Sequence, residues 1–162
     1  ILESSSDNID RFPNVDLSLF SSCQTLEISK VKPAGILNFY DVSLRLIQLG
    51  AHHTLNSLAE LLDVSVSDSE KKGNLPWNKL MALDCSHNNI PEIDDTMQQL
   101  IDVEEVNLSY NIITRVNYLE NCCKLRKLDL SFNQLTAVTN LHLILGNIKV
   151  LVLSNNKLKT SE

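Results

Sequence analysis

Histidine, cysteine, serine and carboxylate side chains build most active sites, and in this chain their spacing builds none. The four histidines, His52, His53, His87 and His142, show no His-Glu-x-x-His spacing, and no Cys-x-x-Cys pair accompanies them, so the patterns that ligate zinc are missing. The adjacent His52-His53 reads as part of a repeat turn rather than a metal pair. Four glycines, Gly35, Gly50, Gly73 and Gly146, are too dispersed to form a phosphate-cradling loop, and there is no Gly-x-Ser-x-Gly elbow. We therefore expect no enzyme, no cofactor and no bound metal. The polar side chains that do recur are carboxamides. Asn88, Asn111, Asn133 and Asn156 stand at intervals of 23, 22 and 23 residues. A carboxamide offers two donors and an acceptor, and a buried turn leaves peptide groups that must be satisfied. The expected chemistry of this column is hydrogen bonding that ties together the turns of neighbouring units, a structural ladder.

Each asparagine occupies one place in an apolar frame. The frame reads Leu80-x-x-Leu83-x-Cys85-x-x-Asn88-x-Ile90, then Val103-x-x-Val106-x-Leu108-x-x-Asn111-x-Ile113. It continues as Leu125-x-x-Leu128-x-Leu130-x-x-Asn133-x-Leu135 and Ile148-x-x-Leu151-x-Leu153-x-x-Asn156-x-Leu158. This is the leucine-rich-repeat signature. Within Leu-x-Leu the two apolar side chains enter the core and the middle one faces out, as the period of a strand requires. The return half of each unit has apolar residues at three-residue steps: Ile90 and Ile93; Ile113, Val116 and Leu119; Leu135, Val138 and Leu141. That spacing suits a 3-10 or single-turn helix, in which residues three apart eclipse. The expected fold is an α/β solenoid, a horseshoe with short parallel strands on its concave face and 3-10 or short helical turns on its convex face.

Upstream the frame degrades. Cys23-x-x-Leu26-x-Ile28-x-x-Val31 places Val at the asparagine position, and Leu44-x-x-Ile47-x-Leu49-x-x-His52-x-Thr54 places His there. Leu55, Leu58, Leu61 and Leu62 predict a convex-side helix over Thr54 to Leu62 with Thr54 as its N-cap. From His52 to Asn88 is 36 residues, so one unit carries an insertion. Residues 63–77, rich in Ser, Asp, Lys, Gly and Pro, are its expected loop, and Ser65 and Ser67 have acidic residues three places on. The expected organisation is one leucine-rich-repeat domain: degenerate repeats over 1–62, the inserted loop over 63–77, and four regular repeats over 78–162. The absence of an initial Met and the stop at Glu162 within the last repeat read as a fragment whose parent continues.

Composition narrows the partners. A net charge of −6 argues against nucleic acid, whose phosphates need a basic face. No apolar run approaches the ~18 residues that span a bilayer. The four cysteines, Cys23, Cys85, Cys122 and Cys123, form no extracellular-type cap, so a reducing, cytoplasmic setting is expected. There the sequon Asn107-Leu108-Ser109 would carry no glycan.

The frame also lists the outward-facing residues. Between the inner strand residues lie Glu27, Gln48, Asp84, Asn107, Asp129 and Val152; before the asparagine column come Lys30, Ala51, His87, Tyr110, Phe132 and Asn155. On parallel strands about 5 Å apart, His87, Tyr110 and Phe132 should stack. With Asp84, Asn107 and Asp129 beside them they form an aromatic-centred, polar-rimmed surface of the kind that binds proteins. Six acidic residues from Glu92 to Glu105 and four basic ones from Arg115 to Lys127 are segregated; a solvated convex surface explains most such runs, and steering of a charged partner is the alternative.

The strings LMALDCSHNNIPEI, LRKLDLSFNQL and LGNIKVLVLSNNKL, together with Trp77, resemble the leucine-rich-repeat region of the nischarin family, the imidazoline receptor candidates. The likeness runs over Trp77 to Lys159 and, more weakly, Asp16 to Leu62. It departs from the family at the insertion and at Cys85, which replaces the usual Leu. The resemblance implies an endosome-associated cytoplasmic scaffold that restrains cell migration. Its partners would be an integrin alpha-subunit tail, Rac-type GTPases and PAK-type kinases, with membrane recruitment by a PX domain outside this chain. The alternatives are a regulatory subunit of a protein phosphatase and a purely structural spacer.

Overall fold

The computed structural model describes residues 2–3, 15–64, 75–138 and 145–159. In chain order the strands are β1 (Leu2–Glu3), β2 (Val15–Asp16), β3 (Thr25–Ser29), β4 (Ile36–Leu37), β5 (Gln48–His52), β6 (Ala82–Asp84), β7 (Glu105–Asn107), β8 (Lys127–Asp129) and β9 (Val150–Val152). Seven of them form one parallel sheet in the order β1-β3-β5-β6-β7-β8-β9, and β2 pairs with β4 beside it. Leu26, Leu49, Leu83, Val106, Leu128 and Leu151 lie directly across from one another. This is the expected solenoid. Its core runs continuously beneath the sheet, where the strand leucines meet the apolar residues of the return segments, such as Ile90, Ile93, Met97 and Ile113.

The register corrects the frame in the third unit. β5 aligns Leu49 with Leu83, not Ile47 with Leu83, so the unit reads Leu46-x-x-Leu49-x-Ala51-x-x-Thr54. Leu46, Leu49 and Ala51 are buried while Leu44 and Ile47 are only half-buried. A shift of one residue would have turned the apolar set to solvent, but a shift of two preserves the alternation of a strand, so the pattern alone fits both. Three positions change with it. Gly50 replaces Gln48 in the outward column, His53 replaces Ala51 before the asparagine position, and Thr54 replaces His52 at that position.

The helix expected from Thr54 is shorter than its pattern. Helix α1 spans Phe39–Ser43 and α2 only Ala59–Leu62. The amides of Thr54 and Leu55 are both committed to the Asn88 carboxamide, so the chain there is held as a ladder turn and Thr54 does not cap. The four leucines are nevertheless all buried. Return segments form 3-10 turns at Pro33–Gly35 and Asp95–Gln99. The second is capped by Asp94, which accepts from the Thr96 amide at 3.2 Å and from the Ala59 amide at 3.0 Å, joining it to α2. Residues 112–119 carry no helix and run as open chain.

Of the inserted segment, 65–74 lies outside the described residues, as do Ser65, Ser67, Leu141 and His142. Trp77, expected at the end of a solvated loop, is instead core. It is fully buried, its Nε1 donates to the Leu62 carbonyl at 2.9 Å, and its ring meets Phe39 edge-on at 5.6 Å between centroids. It thus clamps the end of the insertion to α1 and α2. Cys85 and Cys122 are buried, Cys23 is half-buried, Cys123 is exposed, and all four are free thiols.

Candidate functional site

The asparagine column is a chain of buried hydrogen bonds. Asn88 Oδ1 accepts from the Thr54 and Leu55 amides at 2.9 Å each, and Nδ2 donates to the carbonyls of Ala51, Cys85 and Ser86 at 2.7, 3.0 and 3.2 Å. Asn111 accepts from Ile90 and donates to Cys85, Leu108 and Ser109. Asn133 accepts from Ile113 and donates to Leu108, Leu130 and Ser131. Asn156 does the same toward Leu135, Leu130, Leu153 and Ser154 from a half-buried position. Every rung therefore ties its own strand end to the unit before it.

The residue before each rung has a backbone that the sequence does not announce. Lys30, His53, His87, Tyr110, Phe132 and Asn155 all sit in the left-handed region, with φ of 56°, 57°, 57°, 56°, 55° and 55°. This conformation costs a non-glycine residue about 1–2 kcal/mol, and the six together form the turn at the carboxyl rim of the sheet. Its regular repetition throws the side chains outward in a row. His87 and Tyr110 stack at 4.3 Å with planes 12° apart, and Tyr110 and Phe132 at 4.2 Å and 8°. His53, which the earlier frame placed elsewhere, extends the row at 5.5 Å from His87 with a 36° tilt. All four rings are exposed at one edge of the sheet. Desolvation, then the neighbouring His87, His52 and Lys30, hold the His53 pKa below its ordinary value.

Asp84, Asn107 and Asp129 line the adjacent outward column, and each also closes the strand end. Their Oδ1 atoms accept from the amides two residues on, Ser86 at 3.0 Å, Ser109 at 3.1 Å and Ser131 at 2.9 Å. Asn107 Nδ2 donates to Asp84 Oδ2 at 2.9 Å. The structure thus brings the six surface residues together with the ladder beneath them. It adds Gly50 to the outward column, within a hollow of about 380 Å³ that runs over the concave face from β3 to β8. A Cβ at Gly50 would lie 3.1 Å from Glu27 Cγ and 3.3 Å from His52 Nε2. The signal for both His53 and Gly50 was present in the spacing but needed the register to read it.

The charge segregation resolves into pairs. Lys124 meets Asp102 at 2.7 Å, Arg126 meets Glu104 at 3.7 Å and Lys127 meets Glu105 at 3.3 Å. Much of the acidic and basic stretches therefore neutralise one another across β7 and β8 rather than facing outward as opposed fields.

One constellation has the look of catalysis. His52 Nδ1 lies 3.3 Å from Ser86 Oγ and Nε2 lies 3.7 Å from Glu27 Oε1. The same Nδ1 is 3.0 Å from the Ser86 carbonyl, which assigns the proton to that nitrogen. A nitrogen already carrying a proton cannot take the hydroxyl's, and Ser86 is buried in a ladder turn. Among the described residues no group of three or more His, Cys, Asp or Glu is placed to hold a metal. No helix among them is long and apolar enough to cross a membrane.

The family model described as leucine rich repeat matches residues 78–135. The crystal structure of an internalin (inlF) from Listeria monocytogenes superposes with a TM-score of 0.58 at 20% identity, covering 91% of this chain and 40% of that one. A leucine-rich-repeat protein of Leptospira interrogans superposes with a TM-score of 0.56 at 18% identity over 96% of this chain and 46% of its own. The fold is a leucine-rich-repeat solenoid. Among curated proteins, the chain is 28% identical over 142 residues to the human serine/threonine-protein kinase 11-interacting protein, and 29% identical over 141 residues to the chicken protein of that name. It spans 13% of the length of each. These matches support the repeat class but not the nischarin family in particular.

Proposed function

We propose that this chain is a non-catalytic protein-binding module of a cytoplasmic, endosome-associated signalling scaffold, and that it captures partners on the concave sheet and its aromatic rim. The observation that carries this reading is the row His53, His87, Tyr110 and Phe132. Four exposed rings are held in stacked order by a repeated turn rather than buried in the core. Aromatic side chains with fixed rotamers lose little entropy on binding and form the centres of protein interfaces. The column of Asp84, Asn107 and Asp129 supplies polar contacts beside them.

The partner class we favour is a kinase. The nischarin resemblance implies PAK-type kinases, and the relatives at 28–29% identity are named for interaction with serine/threonine kinase 11. An integrin tail and a Rac-type GTPase remain partners of the same scaffold reading. The test is surface-plasmon binding of purified PAK-type kinase and serine/threonine kinase 11 to this chain and to a Tyr110→Asn, Phe132→Asn variant. Asparagine is chosen because Asn155 occupies the same left-handed position natively. Binding of at least one kinase, weakened about tenfold or more by the variant, supports the reading; binding of neither sinks the kinase assignment.

A further inference from the structure

The concave face of the sheet carries a feature distinct from the aromatic rim. Around Gly50 the concave face is lined by four carboxylates, Glu27, Asp84, Glu105 and Asp129, against one ammonium, Lys127. Lys127 is taken up by Glu105. Among the described residues, no lysine or arginine pairs with Glu27, Asp84 or Asp129; the one basic neighbour of Glu27 and Asp84 among those residues is His52, at 3.7 and 3.9 Å, while Asp84 also accepts neutral bonds from the Ser86 amide and Asn107 Nδ2. Both carboxylates are nearly half exposed. The sheet face at this place is unpartnered, concave and uncompensated in charge.

The spacing of those charges selects a shape of partner. Glu27 lies on β3, Asp84 on β6 and Asp129 on β8, with Gly50 of β5 and Asn107 of β7 between them. The column therefore alternates charged and uncharged on successive strands. Neighbouring strands lie about 4.8 Å apart, so the carboxylates recur about every 10 Å. A β-strand repeats the same face about every 7 Å and does not match. A polyproline-type helix, with three residues per turn and a rise of about 3.1 Å, brings a side chain to the same face about every 9 Å. Such segments also dock on aromatic-lined surfaces, and the ring row runs parallel to the column along the rim.

We propose that the concave face binds an extended, polyproline-type segment of a partner protein with a lysine or arginine at every third position, running across the strands. The first basic side chain meets the exposed carboxylates of Glu27 and Asp84 on either side of β5, and a second meets Asp129. The absence of a side chain at residue 50 lets Glu27 Cγ and His52 Nε2 lie close over the sheet, so a β-carbon there would crowd the Glu27 stem at 3.1 Å and the His52 ring at 3.3 Å. This deepens the protein-binding reading and rests on it.

The probe is a fluorescein-labelled peptide of repeated Arg-Pro-Pro units, titrated by fluorescence anisotropy against the full chain. Controls replace every arginine by glutamate, or place arginine at every second position. Asp84→Asn keeps the acceptor for the Ser86 amide, as Asn107 shows for Ser109, so a Glu27→Gln, Asp84→Asn variant should fold. Gly50→Val crowds the hollow beside Glu27 and His52 without altering charge. The expected result is saturable binding of the Arg-Pro-Pro peptide that weakens about tenfold in either variant and falls with added salt. Binding of the glutamate peptide as tightly, indifference to both variants, or no binding at all overturns the proposal. So does self-association of the free chain that Gly50→Val abolishes, since the hollow would then seat a second copy. If kinase binding through Tyr110 and Phe132 persists while the peptide fails, this inference alone falls; if both fail, the binding-module reading falls with it.

Discussion

The two halves of the sheet solve one problem by different means. From β6 to β9 the units carry Asn88, Asn111, Asn133 and Asn156, and each rung satisfies peptide groups of two units. From β3 to β5 the equivalent residues are Val31 and Thr54, with no carboxamide. The turn survives there regardless, because Lys30 and His53 keep the same left-handed φ as the regular half. Their amides are fixed by backbone bonds to the next unit, Lys30 to His52 at 3.0 Å and His53 to His87 at 2.9 Å. Sheet pairing is thus enough to impose the turn, and the asparagine adds stability beneath it. The worn half draws its own stability from packing, with Trp77 locking α1 and α2.

The largest effects should fall on the two clamps. Asn111→Ala leaves the Ile90 amide without its acceptor and takes one of two donors from the Cys85, Leu108 and Ser109 carbonyls, and should cost about 3 kcal/mol in chemical denaturation. Thr54→Ala, at the same position of the worn half, should cost less than about 1 kcal/mol because the ladder uses its amide rather than its side chain. Equal costs would erase the distinction. Trp77→Leu should cost about 3 kcal/mol through lost volume and the lost indole bond to the Leu62 carbonyl; a cost below that of Thr54→Ala would show that packing does not hold the worn half.

A smaller effect separates ring from backbone. Phe132→Ala should be less stable than Phe132→Gly by about 1 kcal/mol, since only Gly adopts φ of 55° freely. Equal melting would show that the turn is unstrained.

The smallest effect is electrostatic. Burial first, then Cys123 and Glu120, push the Cys122 thiol up from 9.0 to about 12. Its native state holds a proton that the unfolded chain releases. That contribution is complete below pH 9.0 and is lost as the pH rises toward 12. Stability should therefore decline over this window, and Cys122→Ala, though less stable throughout, should decline less steeply. In the native chain at pH 8, iodoacetamide should modify Cys123 and spare Cys122; equal labelling would contradict the burial argument.

What the sequence made legible was whatever repeats. Four regular units, parallel strands and the asparagine column follow from a frame that returns every 22 or 23 residues, and two degenerate units from its upstream remnants. The third unit was misplaced by two residues because a strand's alternation is blind to even shifts. That one displacement hid His53 and Gly50. The left-handed turn was hidden for another reason: Lys, His, Tyr, Phe and Asn share no chemistry, and nothing in their types reports a positive φ. Trp77 was hidden by its neighbours, whose loop-like composition concealed a core residue.

The central claim is that the rim row, not the convex surface, holds partners. It is tested most directly by quantitative mass spectrometry of proteins retained on the immobilised chain. The comparison is between wild type, His87→Asn with Tyr110→Asn and Phe132→Asn, and a convex-side Arg115→Glu variant, all shown to be folded by circular dichroism. The expected result is a set of partners lost from the row variant and kept by Arg115→Glu. Retention of every partner by the row variant would contradict the claim and place binding elsewhere on the chain.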